Sequence, residues 1–120
     1  MTPRRRRRAA SVVVISWRNI PVQVVGTEGH KREVGVLSER FQHAIDRAAG
    51  VAGMTETDGY IKQWVRDEQL PEPDLAAQVK RIAASLEADY DSQVLEQLVR
   101  NGGFHATNKG SGDDGRYLVN

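Results

Sequence analysis

The sequence predicts an α+β domain, with a small N-terminal antiparallel sheet of two or three strands packed against three or four helices. Three observations carry this expectation. β-branched residues crowd between Val12 and Val25, and the joints between the first strands are too short for crossover connections. From Phe41 onward, apolar residues recur at helical spacing. A chain of 120 residues, 39% hydrophobic and 28% charged, has room for one modest core.

The first strand is Val12-Val13-Val14-Ile15-Ser16-Trp17, β-branched and bounded by polar residues. Arg18-Asn19-Ile20-Pro21 interrupts it, and Pro21, which lacks an N–H, suits a strand start or an edge. Val22-Gln23-Val24-Val25 resumes the pattern, Gly26-Thr27-Glu28-Gly29 is a turn, and residues 30–37 form a third strand weakened by Gly35.

Helices follow. Ser38 is an N-cap whose hydroxyl is expected to accept from the free N–H groups of the first turn. Phe41, Ala44, Ile45, Ala48, Ala49 and Ala52 then form one apolar stripe, with Gly50 and Gly53 as places to end it. Thr55 or Thr57 caps a shorter helix in which Tyr60, Ile61, Trp64 and Val65 share a face. Leu70-Pro71-Glu72-Pro73 breaks the chain, and Asp74 opens a longer helix carrying Leu75, Val79, Ile82 and Leu86. Asp89-Tyr90-Asp91 ends that helix or caps a new one bearing Val94, Leu95, Leu98 and Val99, and Asn101-Gly102-Gly103 is a stop. The organisation expected is an Arg-rich disordered leader over residues 1–11, a single domain over 12–103 and a flexible Gly-rich tail over 104–120. Phe41, Ile45, Trp64 and Leu86 are expected to be buried together.

Charge is uneven. The net +1 comes from 17 Lys and Arg against 16 Asp and Glu, and five of the positives are Arg4, Arg5, Arg6, Arg7 and Arg8. The rest of the chain is therefore acidic, so a polyanion contact, nucleic acid above all, would have to use that run. The other reading of the run is a solvated leader upstream of the first strand. As a secretory signal it fails: Ser11 and Ser16 break the apolar stretch, Trp17-Arg18 follows, and no small-x-small site lies downstream. Cytoplasmic residence is the better inference. The longest apolar run, Val12-Val13-Val14-Ile15, is far short of the ~18–20 residues of a spanning helix. Zero cysteines exclude a disulfide scaffold, an iron–sulfur site and a thiol nucleophile.

Catalytic and cofactor chemistry finds no pattern to carry it, so no catalytic, metal or cofactor residue is assigned and the reading leans away from an enzyme. His30, His43 and His105 lack the i, i+4 spacing of paired metal ligands. Asp67-Glu68, Asp89 with Asp91, and Asp113-Asp114 are adjacent in sequence, which does not by itself make an acid–base pair. Gly26-Thr27-Glu28-Gly29 lacks the Lys-Ser/Thr of a phosphate loop, and Gly50 and Gly53 follow a helix. Gly110-Ser111-Gly112 has no strand before it. The aromatic spacing suits core faces rather than a base-stacking platform.

The run Val13-Val14-Ile15-Ser16-Trp17-Arg18-Asn19-Ile20-Pro21-Val22-Gln23-Val24 resembles the opening of a small bacterial family, the virulence factor domain. There an apolar strand is followed by Trp-Arg-Asp/Asn-Ile-Pro, a small or branched residue, Gln and Val. The resemblance continues through Leu37-Ser38-Glu39-Arg40-Phe41 and the helix after it, at Tyr60 to Trp64, at Leu86-Glu87-Ala88-Asp89-Tyr90-Asp91 and at Leu98-Val99-Arg100-Asn101-Gly102-Gly103. It implies a non-catalytic bacterial domain that in some larger proteins is joined to HEAT-type helical repeats. Some relatives accompany folate-linked one-carbon enzymes.

Three functions follow as expectations. The first is a cytoplasmic interaction or accessory domain that docks on a protein partner. The second is an accessory subunit of folate or corrinoid one-carbon enzymes, and the third a weak nucleic-acid binder through its Arg-rich start. No membrane partner is expected. Trp17, Arg18 and Asn19 are candidate partner contacts, because Trp and Arg are enriched at interface hot spots. The competing reading is that the same residues only shape the turn.

Overall fold

The computed structural model describes residues 10–54 and 57–105. Strands β1 (Ala10–Trp17), β2 (Ile20–Glu28) and β3 (Lys31–Val36) are followed by helix α1 (Glu39–Val51) and the short helix α2 (Thr57–Ile61). Strand β4 (Trp64–Gln69), α3 (Leu75–Asp89) and α4 (Ser92–Arg100) complete the order. The sheet is antiparallel throughout, in the order β3-β2-β1-β4. The fold class is thus the expected α+β, with a fourth strand.

That fourth strand corrects the sequence reading. Tyr60, Ile61, Trp64 and Val65 do not share one helix: α2 stops at Ile61, and Trp64 and Val65 open β4, which pairs with β1 from Trp17↔Trp64 to Val12↔Gln69. Val65-Arg66-Asp67-Glu68-Gln69 has almost no apolar alternation, because this edge strand is exposed along most of its length. Its charges are what an edge tolerates and what discourages pairing with other chains. Strand formation here comes from pairing with the β-branched β1, not from local propensity.

β1 and β2 pair in phase from Ala10↔Glu28 to Ile15↔Gln23, then slip so that Ser16 faces Pro21 and Val22 is extra. The bulge falls beside the one residue there with no N–H to give the ladder. Gly35 does more than weaken its strand. A Cβ on Gly35 would stand 3.1 Å from Val79 and 3.2 Å from Ala83, and one on Gly26 would stand 2.9 Å from Val79. These two glycines let α3 settle onto β2 and β3.

Burial falls into two clusters. Val12, Val14 and Val24 pack under Leu75 and Val79 of α3. Trp17, Ile20 and Leu37 pack with the α1 stripe (Phe41, Ala44, Ile45, Ala48, Ala49) and with Leu95, Leu98 and Val99 of α4. Phe41 and Ile45 are fully enclosed there, while Trp64 and Leu86 join the same cluster only half-buried. Gln78, buried under the loop after β4, receives the Glu72 N–H at 2.8 Å and donates to the Leu70 carbonyl at 2.9 Å.

The caps partly match expectation. Asp74 accepts from the Ala77 N–H at 3.1 Å and Asp91 from the Val94 N–H at 2.9 Å. Ser38 occupies the N-cap of α1 but makes no cap bond there. Its hydroxyl instead donates to Glu87 of α3 at 2.9 Å and accepts from the Arg40 guanidinium at 3.0 Å, which ties α1 to α3. Phe104 and His105, expected in the tail, pack on the hairpin turn: the Arg18 guanidinium lies 4.5 Å from the Phe104 ring centre and the His105 N–H donates to the Asn19 side chain at 2.9 Å.

Candidate functional site

α3 packs against β2 and β3 and leaves β4, the opposite edge of the sheet, uncovered. A groove of about 400 Å³ opens between them. That volume lies in the range of small-molecule and peptide-anchor sites. Its floor is Val14 and Ser16 of β1 with Val65, Asp67 and Gln69 of β4, all on one face by register. Ile82 and Leu86 of α3 and Tyr90, the residue that caps its C-terminal end, form the wall. Pro21, Arg18, Asn19 and His105 close one end.

The stripe explains why one wall of this otherwise mixed groove is apolar. Leu75 and Val79, at the start of α3, are buried on the sheet, but Ile82 and Leu86 further along the same stripe stay half-buried. Val65 across the floor is 45% exposed. Apolar side chains at spacing made for a core thus meet no covering element among the described residues.

The closed end is built by Arg18. Its backbone sits at φ 54°, in the left-handed region a β1–β2 turn of two residues demands. Its guanidinium donates to the Gln63 side chain at 3.1 Å and to the Gly102 carbonyl at 2.9 Å, sandwiched between the Trp17 and Phe104 rings. Trp17 is fully buried, stacks on Tyr60 and donates its indole N–H to the Tyr60 carbonyl at 2.9 Å. Of the three candidate contact residues, Arg18 and Asn19 therefore border the groove and Trp17 lies beneath them.

Tyr90 adds a neutral donor at the groove's end, since burial, helped by the Asp89 charge, pushes its phenol pKa up. Behind the wall, burial works against the charge of Glu87, but the Ser38 N–H and hydroxyl and the Arg40 guanidinium outweigh it and hold its carboxyl below the ordinary 4.5. Arg40 also donates to the Glu87 and Tyr90 carbonyls at 2.7 and 3.0 Å, closing the C-terminal end of α3.

The remaining candidates are scattered. His30 lies exposed in the β2–β3 turn and His43 exposed on α1. Asp67 faces the groove while Glu68 turns to the other face, and Asp89 and Asp91 flank the α3–α4 joint. Among the described residues no group of His, Asp and Glu could hold a metal ion, and no helix is long and apolar enough to cross a membrane. Arg4, Arg5, Arg6, Arg7 and Arg8, like Asp113 and Asp114, lie outside the described residues. Sequence reasoning missed Val65, Asp67 and Gln69 as groove residues because it had no β4, and took Ile82 and Leu86 for plain core.

Fold and groove together define a small α+β domain whose most developed feature, among the described residues, is a surface cleft beside the β4 edge of the sheet. Residues 15–99 match the model of the family described as Virulence factor, and the chain belongs to that family. No curated protein and no solved structure matches it.

Proposed function

We propose that this chain is a non-catalytic cytoplasmic docking domain that takes a segment of a partner protein into the groove between α3 and β4. The observation that carries the reading is the partly buried apolar pair Ile82 and Leu86 facing the exposed Val65 along a strand edge that is unpaired among the described residues. Such a site offers both elements of peptide recognition: backbone groups on the edge for affinity, and pockets for alternate side chains for specificity. Arg18 and Asn19 contribute as the rigid end of the groove, with Trp17 supporting them from below.

The test compares partner capture from the native cell by the parent chain, by Val65→Asp and Ile82→Asp in the groove, and by Val36→Asp outside it. Val36 is 70% exposed and does not line the groove, so a charge there is a fair control. The groove variants should lose a partner that the control retains, by about tenfold or more, the scale of an interface hot spot. Val65→Asp and Val36→Asp, both at exposed positions, should melt close to the parent, so the loss in Val65→Asp cannot come from unfolding. Equal capture by all four proteins would move the docking surface elsewhere.

A further inference from the structure

Several arginines of the described chain are engaged by carboxylates: Arg40 by Glu87, Arg47 and Arg100 by Glu96, and Arg81 by Glu72. Arg18 is held differently. Its bonded acceptors, the Gln63 side chain and the Gly102 carbonyl, are both neutral. The Trp17 and Phe104 rings fix the guanidinium without cancelling its charge. Among the described residues, Arg18 therefore stands at the closed end of the groove as a fixed cation with no carboxylate on it.

We propose that this end of the groove takes the carboxylate of an acidic side chain, so that the docked partner segment carries the pattern apolar-x-Asp/Glu and adds antiparallel to β4. Preorganisation is the first argument. A guanidinium already fixed in place loses little freedom when a carboxylate arrives. Neutral donors line the same groove. The Asn19 side-chain oxygen accepts the His105 N–H, which leaves the Asn19 amide N–H groups to donate, and the Tyr90 phenol adds an O–H.

Spacing is the second argument. Arg18 marks the Gln63 end of β4, since its backbone N–H donates to the Gln63 carbonyl at 3.0 Å and its side chain to the Gln63 side chain. Val65 is two residues on, about 7 Å along an extended chain. Successive side chains on one face of an added strand have that same separation. An apolar side chain set against Val65, Ile82 and Leu86 thus brings the next residue on its face to Arg18. Antiparallel addition, the arrangement of every described pair in the sheet, makes that residue the C-terminal one of the two. The third argument is the layout of charge. Asp67, the acid on the groove floor, lies about 13 Å of extended chain from Gln63 and disfavours a carboxylate at that other end. Arg66 pairs with Ile15 while Asp67 pairs with Val14, so Arg66 stands with Glu68 on the face turned away from the groove. A side chain is the source because a main-chain carboxylate paired along the edge stays in the plane of the sheet, whereas Arg18 borders the face on which side chains stand.

The test titrates the full chain with the peptide acetyl-Thr-Val-Thr-Glu-Thr-amide and with its Glu→Gln counterpart, following the amide NMR signals of Arg18, Gln63 and Val65. The Glu peptide should bind about tenfold more tightly, the scale of one hot-spot contact. Raising salt from about 0.05 to 0.5 M should shrink that preference. Arg18→Gln should abolish the preference and still bind the Gln peptide, whereas Arg66→Gln, on the other face of β4, should keep it. No binding by either peptide, equal affinity for the two, a preference that survives Arg18→Gln, or one lost in Arg66→Gln would each overturn the proposal. So would a Gln peptide with a free C-terminal carboxylate that matches the Glu peptide, since the chain terminus would then be the anion. Where Arg18→Gln fails to fold, the preference of the parent, its salt dependence and the Arg66→Gln result still decide. The inference rests on the reading of the groove as a docking site, and the two fail separately. Peptides bound without preference beside lost partner capture in Val65→Asp remove only the carboxylate anchor, and unaltered capture in Val65→Asp removes the docking reading itself.

Discussion

Arg18 is a cation held by its own chain. Its left-handed backbone conformation belongs to the turn, but its side chain joins three parts of the molecule: the hairpin, the lead-in to β4 through Gln63, and the end of α4 through Gly102. Gly103 permits that junction. At φ 100° it adopts a conformation open to glycine, and a Cβ there would stand 2.9 Å from the Trp17 ring and 3.2 Å from the Arg18 side chain. Arg18→Ala should therefore lower stability by about 1–3 kcal/mol, the scale of hydrogen bonds from a charged donor together with its stacking. Urea unfolding of parent and variant measures this. An unchanged midpoint would mean the guanidinium is free in solution and available to a partner.

At the scale of elements, the link between α1 and α3 is electrostatic as well as apolar. Glu87 has a folded-state pKa below its ordinary 4.5, with burial opposing and Ser38 and Arg40 producing the shift. A depressed carboxylate contributes stability that is complete above its unfolded pKa and disappears as pH falls through its folded pKa. Melting temperature should thus decline below about pH 4.5 in the parent, and Glu87→Gln should be less stable near neutrality with a shallower acid limb. Acid limbs of equal slope would show that Glu72 and Glu96, also depressed by their Arg81 and Arg47 partners, account for the decline.

The same element scale shows what could be read from residues alone. The α1 stripe, the Asp74 and Asp91 caps and the first three strands are local patterns, and each is present. β4 has no local pattern, because an exposed edge strand needs no apolar alternation, and its strand character resides in β1. Gly26 and Gly35 look like a turn and a weak point when taken singly. Only the seat of α3 shows them to be one contact surface. The groove was illegible for the same reason: the Leu75, Val79, Ile82, Leu86 spacing is uniform, while the sheet beneath it is covered at one end of the helix and open at the other.

Across the whole molecule, α3 is the member common to both cores. Leu75 and Val79 belong to the cluster over β1 and β2, while Ala83 and Leu86 touch that cluster and the one built on α1 and α4. Both tryptophans, Trp17 and Trp64, report on the second cluster, and Val79 belongs only to the first. Val79→Ala removes two buried carbons at a cost of about 2 kcal/mol. For a domain of this size that is roughly 8–16 °C of melting temperature. If α3 couples the cores into one cooperative unit, tryptophan fluorescence and far-ultraviolet circular dichroism should report the same lowered midpoint, although no tryptophan contacts the altered cluster. Should fluorescence keep the parent midpoint while dichroism falls, the α1–α4 core would stand alone and α3 would detach from the sheet first. The groove wall would then be the least stable part of the fold, and a segment bound there would have to order α3 as it docked.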